Sequence, residues 1–270
     1  LIYNYRTDRY EQPATDFPTD VRTMALQGDT LWIGALNGLY TYQLQNRKLS
    51  PLGTKRNGLP HNTIYSIIRT GDNQIYVGTY NGLCRYIASN GKFEKIPLPV
   101  NSSQSNLFVN SLLEDTGRQC IWIGTEGYLF QYFPSTGQMK QTEAFHNNSI
   151  KSLALDGNGY LLAGTDNGLY VYHNDVTPLQ HIIHDSRNIQ SLTNNIIWNI
   201  FADQEHNIWL GTDYGISLSR YNSALQFIPI SQITGTGDGN QFYSLFRDSK
   251  GFYWFGGTNG LIRFTDPAGD

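Results

Sequence analysis

Apolar and polar residues alternate along this chain in a pattern that comes back six times. Leu31 to Tyr40 read LWIGALNGLY, and the same frame returns as IYVGTYNGLC at Ile75, IWIGTEGYLF at Ile121, LLAGTDNGLY at Leu161, IWLGTDYGIS at Ile208 and YWFGGTNGLI at Tyr253. Each copy has an apolar run, a glycine, a short polar tip, a second glycine in most copies, and another apolar run. The first glycines are Gly34, Gly78, Gly124, Gly164, Gly211 and Gly256, separated by 44, 46, 40, 47 and 45 residues. A fixed period near 44 residues is the mark of a repeat architecture.

Between the frames lies a second pattern: an apolar residue, a variable one, a small polar one and another apolar one, often ending near an aspartate. It reads Val21-Arg-Thr-Met, Ile64-Tyr-Ser-Ile, Val109-Asn-Ser-Leu, Ile150-Lys-Ser-Leu, Ile197-Trp-Asn-Ile and Phe242-Tyr-Ser-Leu. Short β-rich runs bounded by turn signals such as Thr70-Gly-Asp-Asn, Asp156-Gly-Asn-Gly and Asp248-Ser-Lys-Gly are strands. The next strand holds Trp32, Tyr76, Trp122, Leu162, Trp209 or Trp254 and ends at the frame glycine. Asn37-Gly38, Asn81-Gly82, Asn167-Gly168 and Asn259-Gly260 then offer the positive φ of a tight hairpin. A third strand follows, as in Leu39-Tyr-Thr-Tyr or Leu169-Tyr-Val-Tyr. A fourth, more polar, as in Phe93-Glu-Lys-Ile or Leu225-Gln-Phe-Ile, suits a wet outer edge.

Four short strands per ~45 residues, with inner strands apolar on both faces, predict an all-β fold, a β-propeller of four-stranded blades. The frame tryptophans and glycines are then packing and turn residues. No Trp-Asp dipeptide ends a strand, and the paired glycines of kelch blades occur once, at Gly256-Gly257, so neither of those propeller types is indicated. Asp248-Ser-Lys-Gly-Phe-Tyr-Trp254 is one residue off the spacing of a sialidase-type aspartate box. Residues 1–270 are expected to be one propeller domain or a fragment of one, with six repeats. Leu1-Ile-Tyr-Asn-Tyr matches a third strand and Gly260-Leu-Ile-Arg-Phe ends in the same phase, so the chain starts and stops in mid-repeat. Thr265 onward carries no strand character.

Composition narrows the partners. A net charge of -3, with 15% charged residues, lacks the basic stripe that nucleic acid demands. No run approaches the ~18 apolar residues of a membrane helix, and no charged leader opens the chain, so a soluble piece is expected, without span or signal peptide. Cys84 and Cys120 fit no metal spacing and read as inert thiols in preference to a disulfide.

The run from His184 through Ile216, which contains Ser191-Leu-Thr-Asn-Asn-Ile-Ile-Trp and Asn207-Ile-Trp-Leu-Gly-Thr-Asp-Tyr-Gly, resembles the two-component regulator propeller repeat. Asn57-Gly-Leu-Pro-His-Asn-Thr-Ile-Tyr-Ser-Ile-Ile is similar to the opening of another copy. That resemblance implies the periplasmic sensor region of a hybrid two-component histidine kinase, in which a seven-bladed propeller recognises glycan fragments. This chain has six repeats and no downstream module, so the resemblance implies part of a seven-bladed parent. Membrane attachment would come only through parts of that parent absent here.

Catalytic chemistry is thinly supported. Glu126, Asp166 and Asp213 sit in hairpin tips, where solvation explains them better than a glycosidase pair. His181-Ile-Ile-His184 has metal-like spacing only on a helix; on a strand the odd separation splits the rings between faces. His61, His146, His173 and His206 are scattered among turns and edges. No catalytic residue, metal ligand or cofactor is expected.

Binding is better supported, by position. The variable second residue of each first strand is Arg22, Tyr65, Asn110, Lys151, Trp198 or Tyr243. In a ring these six would meet near one end of the channel, where aromatic faces stack on sugar C–H groups and polar groups pair with hydroxyls. Arg56, His61, Tyr80, Arg187, Asp213 and Tyr214 lie on loops expected nearby and rank lower. An oligosaccharide sensor leads. A propeller glycosidase or polysaccharide lyase would need clustered carboxylates or a Tyr-His-Arg group, and a protein-binding scaffold would need a flat apolar face. Strand edges left open at a cut end would favour a homodimer.

Overall fold

The structure is a computed structural model that describes residues 2–4, 7, 9–11, 17–52, 57–99, 107–141, 145, 148–173, 177–221, 227–230 and 240–264. The described residues form 25 strands and no α-helix. They fall into two compact units, residues 1–114 and 115–270.

In the first unit, β1 (Ile2–Asn4) and β2 (Arg9–Glu11) pair as an antiparallel ribbon. The first full repeat is β3 (Val21–Gln27), β4 (Thr30–Ala35), β5 (Gly38–Gln43) and β6 (Lys48–Leu52), an antiparallel sheet in chain order. The second repeats this with β7 (Ile64–Arg69), β8 (Ile75–Thr79), β9 (Gly82–Ile87) and β10 (Lys92–Ile96). The strand β11 (Val109–Asp115) opens the third repeat and carries the boundary between the units.

The second unit continues with β12 (Cys120–Thr125), β13 (Leu129–Phe133) and β14 (Gln138–Gln141). A sheet of β15 (Ile150–Leu155), β16 (Leu161–Thr165), β17 (Gly168–Tyr172) and β18 (Gln180–Ile182) follows. Another is β19 (Ile197–Ala202), β20 (Ile208–Thr212), β21 (Gly215–Ser219) and β22 (Phe227–Pro229). The last repeat has three strands among the described residues, β23 (Phe242–Arg247), β24 (Tyr253–Gly257) and β25 (Gly260–Phe264). Chain-order antiparallel sheets of four short strands are propeller blades. The expected strands all appear, with Leu225 and the residues from Thr265 onward outside the described set.

Within each unit consecutive blades pack face to face, which is why β16 and β20 are buried along their whole length. Within the first unit, Trp32, Leu39, Ile64, Ile67, Val77 and Phe93 form one core across two blades. In the second unit, Trp209, Leu218, Phe242, Leu245, Tyr253 and Phe255 do the same. The frame glycines are where neighbouring blades touch. A Cβ on Gly34 would stand 2.5 Å from Ile64 Cγ2, and one on Gly78 would stand 2.6 Å from the Val109 carbonyl oxygen. One on Gly211 would meet the Phe242 carbonyl oxygen at 2.6 Å. Such distances leave no room for a side chain.

In three blades the small polar third residue of the first strand ties the seam. Thr23 Oγ1 accepts from the Ile67 amide at 3.1 Å, Ser66 Oγ donates to the Val109 carbonyl at 2.9 Å, and Ser152 Oγ accepts from the Ile200 amide at 3.0 Å. On β3, Thr23 and Ala25 turn toward the second blade, so Met24 and Leu26, which alternate with them, are 60% and 52% exposed on the opposite face.

One turn expectation needs correction. Gly168 has the positive φ expected of it, 94°, but Gly38 does not lie in the left-handed region. What Gly38 provides is space, since a Cβ there would meet the Tyr40 ring at 3.1 Å. Cys84 and Cys120 are both buried and free, and burial pushes the Cys84 thiol far up.

The aspartate that ends several first strands has two tasks. Asp115 Oδ1 accepts the Arg118 amide at 3.0 Å, closing the turn, and its Oδ2 accepts the Trp122 indole N–H at 3.0 Å. Asp248 holds the Trp254 indole in the same way at 2.9 Å, and in the first blade Gln27 takes the Trp32 indole at 3.1 Å. For Asp115, burial opposes the charged form, yet the bonds from Trp122 and Arg118 prevail and hold the carboxyl below its usual range. A depressed carboxyl contributes stability that is present above the unfolded value, near 3.9, and is lost as pH falls through the folded one. Acid unfolding followed by circular dichroism should therefore show stability dropping below about pH 4 in the native protein. Asp115→Asn should start less stable and flatten that acid limb; an unchanged limb would remove Asp115 from the account.

Candidate functional site

In five of the repeats the variable residue of the first strand sits on a β-bulge. Val21 pairs with Ala35 and Thr23 with Gly34, so the ladder skips Arg22. The same shift occurs between Ile64 and Ser66, Ile150 and Ser152, Ile197 and Asn199, and Phe242 and Ser244. The skipped residues are Tyr65, Lys151, Trp198 and Tyr243. A bulge inserts one residue, increases the local twist and re-aims the side chain it carries. Ile64, Ile150, Ile197 and Phe242, which precede the bulge residues, are buried, whereas the bulge residues are half-buried or exposed. Asn110 holds the equivalent place on β11 and is half-buried.

In the second unit three predicted site residues come together. The Lys151 ammonium lies 4.3 Å from the centroid of the Trp198 ring. Tyr243 meets Trp198 edge to face, with centroids 5.2 Å apart and planes at 70°. The Trp198 indole N–H donates to Asp213 Oδ1, and the Tyr243 hydroxyl donates to Gln241 Oε1. Asp213 was a lower-ranked candidate and proves to be the group that fixes the indole. Tyr214, next to it, is 54% exposed. The bulges of three consecutive blades thus supply a cation and two aromatic rings to one cluster, and the tip between β20 and β21 adds the Asp213 carboxylate.

The first unit has its own aromatic cluster. Tyr65 lies 5.9 Å from Phe108 and Tyr80 lies 4.2 Å from it, both edge to face. His61 leans on Tyr80 at 4.8 Å, with its Nδ1 accepting the Thr63 amide. Arg22 is exposed on β3. Arg56 lies outside the described residues, and Arg187 forms an exposed pair with Asp185 at 3.2 Å.

Phe108 and Gln241 were not singled out in the sequence, though a signal existed. Both occupy the position immediately before a first strand, one residue ahead of the apolar opener. Aligning the repeats on Val109 and Phe242 brings them into register.

Of the groups considered for catalysis, Asp213 lies in the cluster on the Trp198 indole. Asp166 accepts the Ser149 amide at 3.1 Å, and the backbone of Glu126 forms an isolated β-bridge with Ser149. His181 stacks on Tyr170 at 4.0 Å and contacts the Asn167 carbonyl, while His184 lies beyond β18 and contacts the Leu192 carbonyl. Among the described residues no group of His, Cys, Asp and Glu could hold a metal ion.

The two component regulator propeller profile matches residues 58–81, 191–214 and 236–259, segments that contain Tyr65, Trp198 and Tyr243. The chain carries two component regulator propeller repeats. Among its relatives, Histidine kinase P4 of Formosa agariphila is 28% identical in an alignment of 295 positions that covers 97% of this propeller chain and 20% of that protein. The extracellular domain of BT4673 from B. thetaiotaomicron, named both as a one component and as a hybrid two component system, is 91% identical over all of this chain, with a TM-score of 0.79. The propeller chain spans 36% of that structure. Virginiamycin B lyase from Staphylococcus aureus, at 13% identity and a TM-score of 0.68, shares the propeller fold.

Proposed function

We propose that this chain is the ligand-recognition propeller of an extracytoplasmic, periplasmic sensor, that its ligand is an oligosaccharide, and that it relays occupancy to a histidine kinase outside this chain without turning the ligand over. The observation that carries the reading is the bulge in successive first strands, which brings Lys151, Trp198 and Tyr243 together. Bulges persist where a side chain must be re-aimed, because the skipped pairing weakens the ladder. Rings with fixed orientation beside hydrogen-bonding tips suit a sugar, which offers apolar C–H faces and a rim of hydroxyls.

The relatives favour sensing. Two are named as a histidine kinase and as the extracellular domain of a hybrid two component system. Within the cluster the carboxylate is bound to an indole N–H, which suits positioning more than proton transfer.

Isothermal titration of the purified protein against neutral and acidic plant and host oligosaccharides, with product analysis of the same mixtures, tests this directly. Saturable heat without new products is the expected result. Cleavage products would replace the sensor with a glycosidase or lyase, and a flat titration across the panel would remove the oligosaccharide.

A further inference from the structure

Lys151 differs from three arginines of its unit, which close ion pairs. Arg118 pairs with Asp115 at 2.6 Å, Arg187 with Asp185 and Arg247 with Glu205. Among the described residues no carboxylate pairs with Lys151, whose recorded contact is the face of Trp198. The carboxylate of the cluster, Asp213, accepts instead from the indole N–H. A negative charge at the N–H edge enriches the ring, and an enriched ring holds a cation more strongly over its face. The result is an ammonium that is half-buried and oriented, yet not neutralised by an ion pair.

An ammonium has three donors and no acceptor, and a ring face satisfies only part of that capacity. Held on a bulge beside two aromatic rings, Lys151 has the features of an anchor for an anionic group. Structural lysines differ from it, since they extend into water or close an ion pair. Taking the cluster as the proposed oligosaccharide site, on which this inference rests, we infer that Lys151 reads a negative charge on the ligand and that the ligand class is an acidic oligosaccharide. The sugar ring would stack in the cluster of Trp198 and Tyr243 while a carboxylate or sulfate oxygen accepts from Lys151 Nζ. Carboxylate and sulfate share this chemistry, and separate probes distinguish them.

The test is titration of the protein with tetragalacturonate, its neutral methyl ester, and a sulfated chondroitin tetrasaccharide. A charge-assisted hydrogen bond is strong enough for a preference of about tenfold for an acidic probe over the neutral one. Raising the salt from low to high ionic strength should shrink that preference. Lys151→Met keeps an unbranched apolar stem for the Trp198 face and should bring the acidic-to-neutral ratio to about 1, whereas Lys151→Arg should retain it. Far-ultraviolet circular dichroism confirms that each variant is folded. A ratio near 1 in the native protein, or a Lys151→Met ratio equal to the native one, overturns the charge reading while leaving oligosaccharide binding in place. Absence of binding by every probe, neutral ones included, overturns the oligosaccharide reading and this inference with it.

Discussion

Replacing Asp203 with alanine is expected to destabilise the protein by roughly 3–5 kcal/mol, because it strands several buried donors at once. Asp203 Oδ2 accepts the Trp209 indole N–H at 2.8 Å, the Tyr253 hydroxyl at 2.9 Å and the Asn207 side-chain amide at 3.0 Å. Its Oδ1 accepts the Asn207 backbone amide at 2.8 Å. Trp209 belongs to the same blade and Tyr253 to the next, and each is only 1% exposed, so neither finds water when the carboxylate is gone. A single buried donor left without an acceptor costs about 1–3 kcal/mol, and here two sit in one core. Urea denaturation should report the loss as a lower midpoint, and thermal melting as a fall on the order of 10 °C. Tyr253→Phe removes one donor and leaves the others satisfied, so it should cost only about 1 kcal/mol. Equal losses for the two variants would place the whole effect in the Tyr253 hydroxyl bond and overturn the role of Asp203 as a shared acceptor.

That aspartate shows where reading the chain stopped short. The periodic frames, the strands and the blade class were legible because burial on both faces forces apolar residues to recur at a fixed period. Asp115, Asp203 and Asp248 were visible only as turn punctuation. Their second task depends on a tryptophan six or seven residues later in the chain, across the turn, and composition does not mark which tip an indole reaches. Gly38 failed for a related reason: a glycine after asparagine reads equally well as a conformational need or as a need for space, and only the Tyr40 ring decides.

The site was half legible. Variation at one position among apolar and small neighbours located Tyr65, Lys151, Trp198 and Tyr243 correctly on their strands. The bulge that sets them apart was invisible, because skipping one rung of a ladder changes register and not residue type. Phe108 depends on a distance between blades, and Gln241 and the fixing of Trp198 by Asp213 on side-chain bonds within a blade that residue type does not mark.

Two tryptophans of one blade give the sharpest contrast, and Trp198→Ala is expected to weaken oligosaccharide binding roughly 10–100-fold, as loss of a central aromatic anchor does. Trp198 is half-buried on its bulge, with Lys151 over its face and Tyr243 at its edge. Removing it forfeits a cation–π contact and an edge-to-face pair, together about 1–2 kcal/mol of stability, so the fold should survive. Trp209 on the neighbouring strand is 1% exposed and packs on Tyr253 at 4.5 Å, so Trp209→Ala should cost about 3–5 kcal/mol. Titration and melting on the two variants therefore separate the roles: Trp198→Ala melts close to the native protein but binds poorly, and Trp209→Ala melts early. Trp198→Phe keeps a ring but loses the N–H that Asp213 accepts, and should bind between the native protein and the alanine variant. Full affinity in a folded Trp198→Ala would show that its bulge orders the strand and that recognition lies elsewhere in the blade.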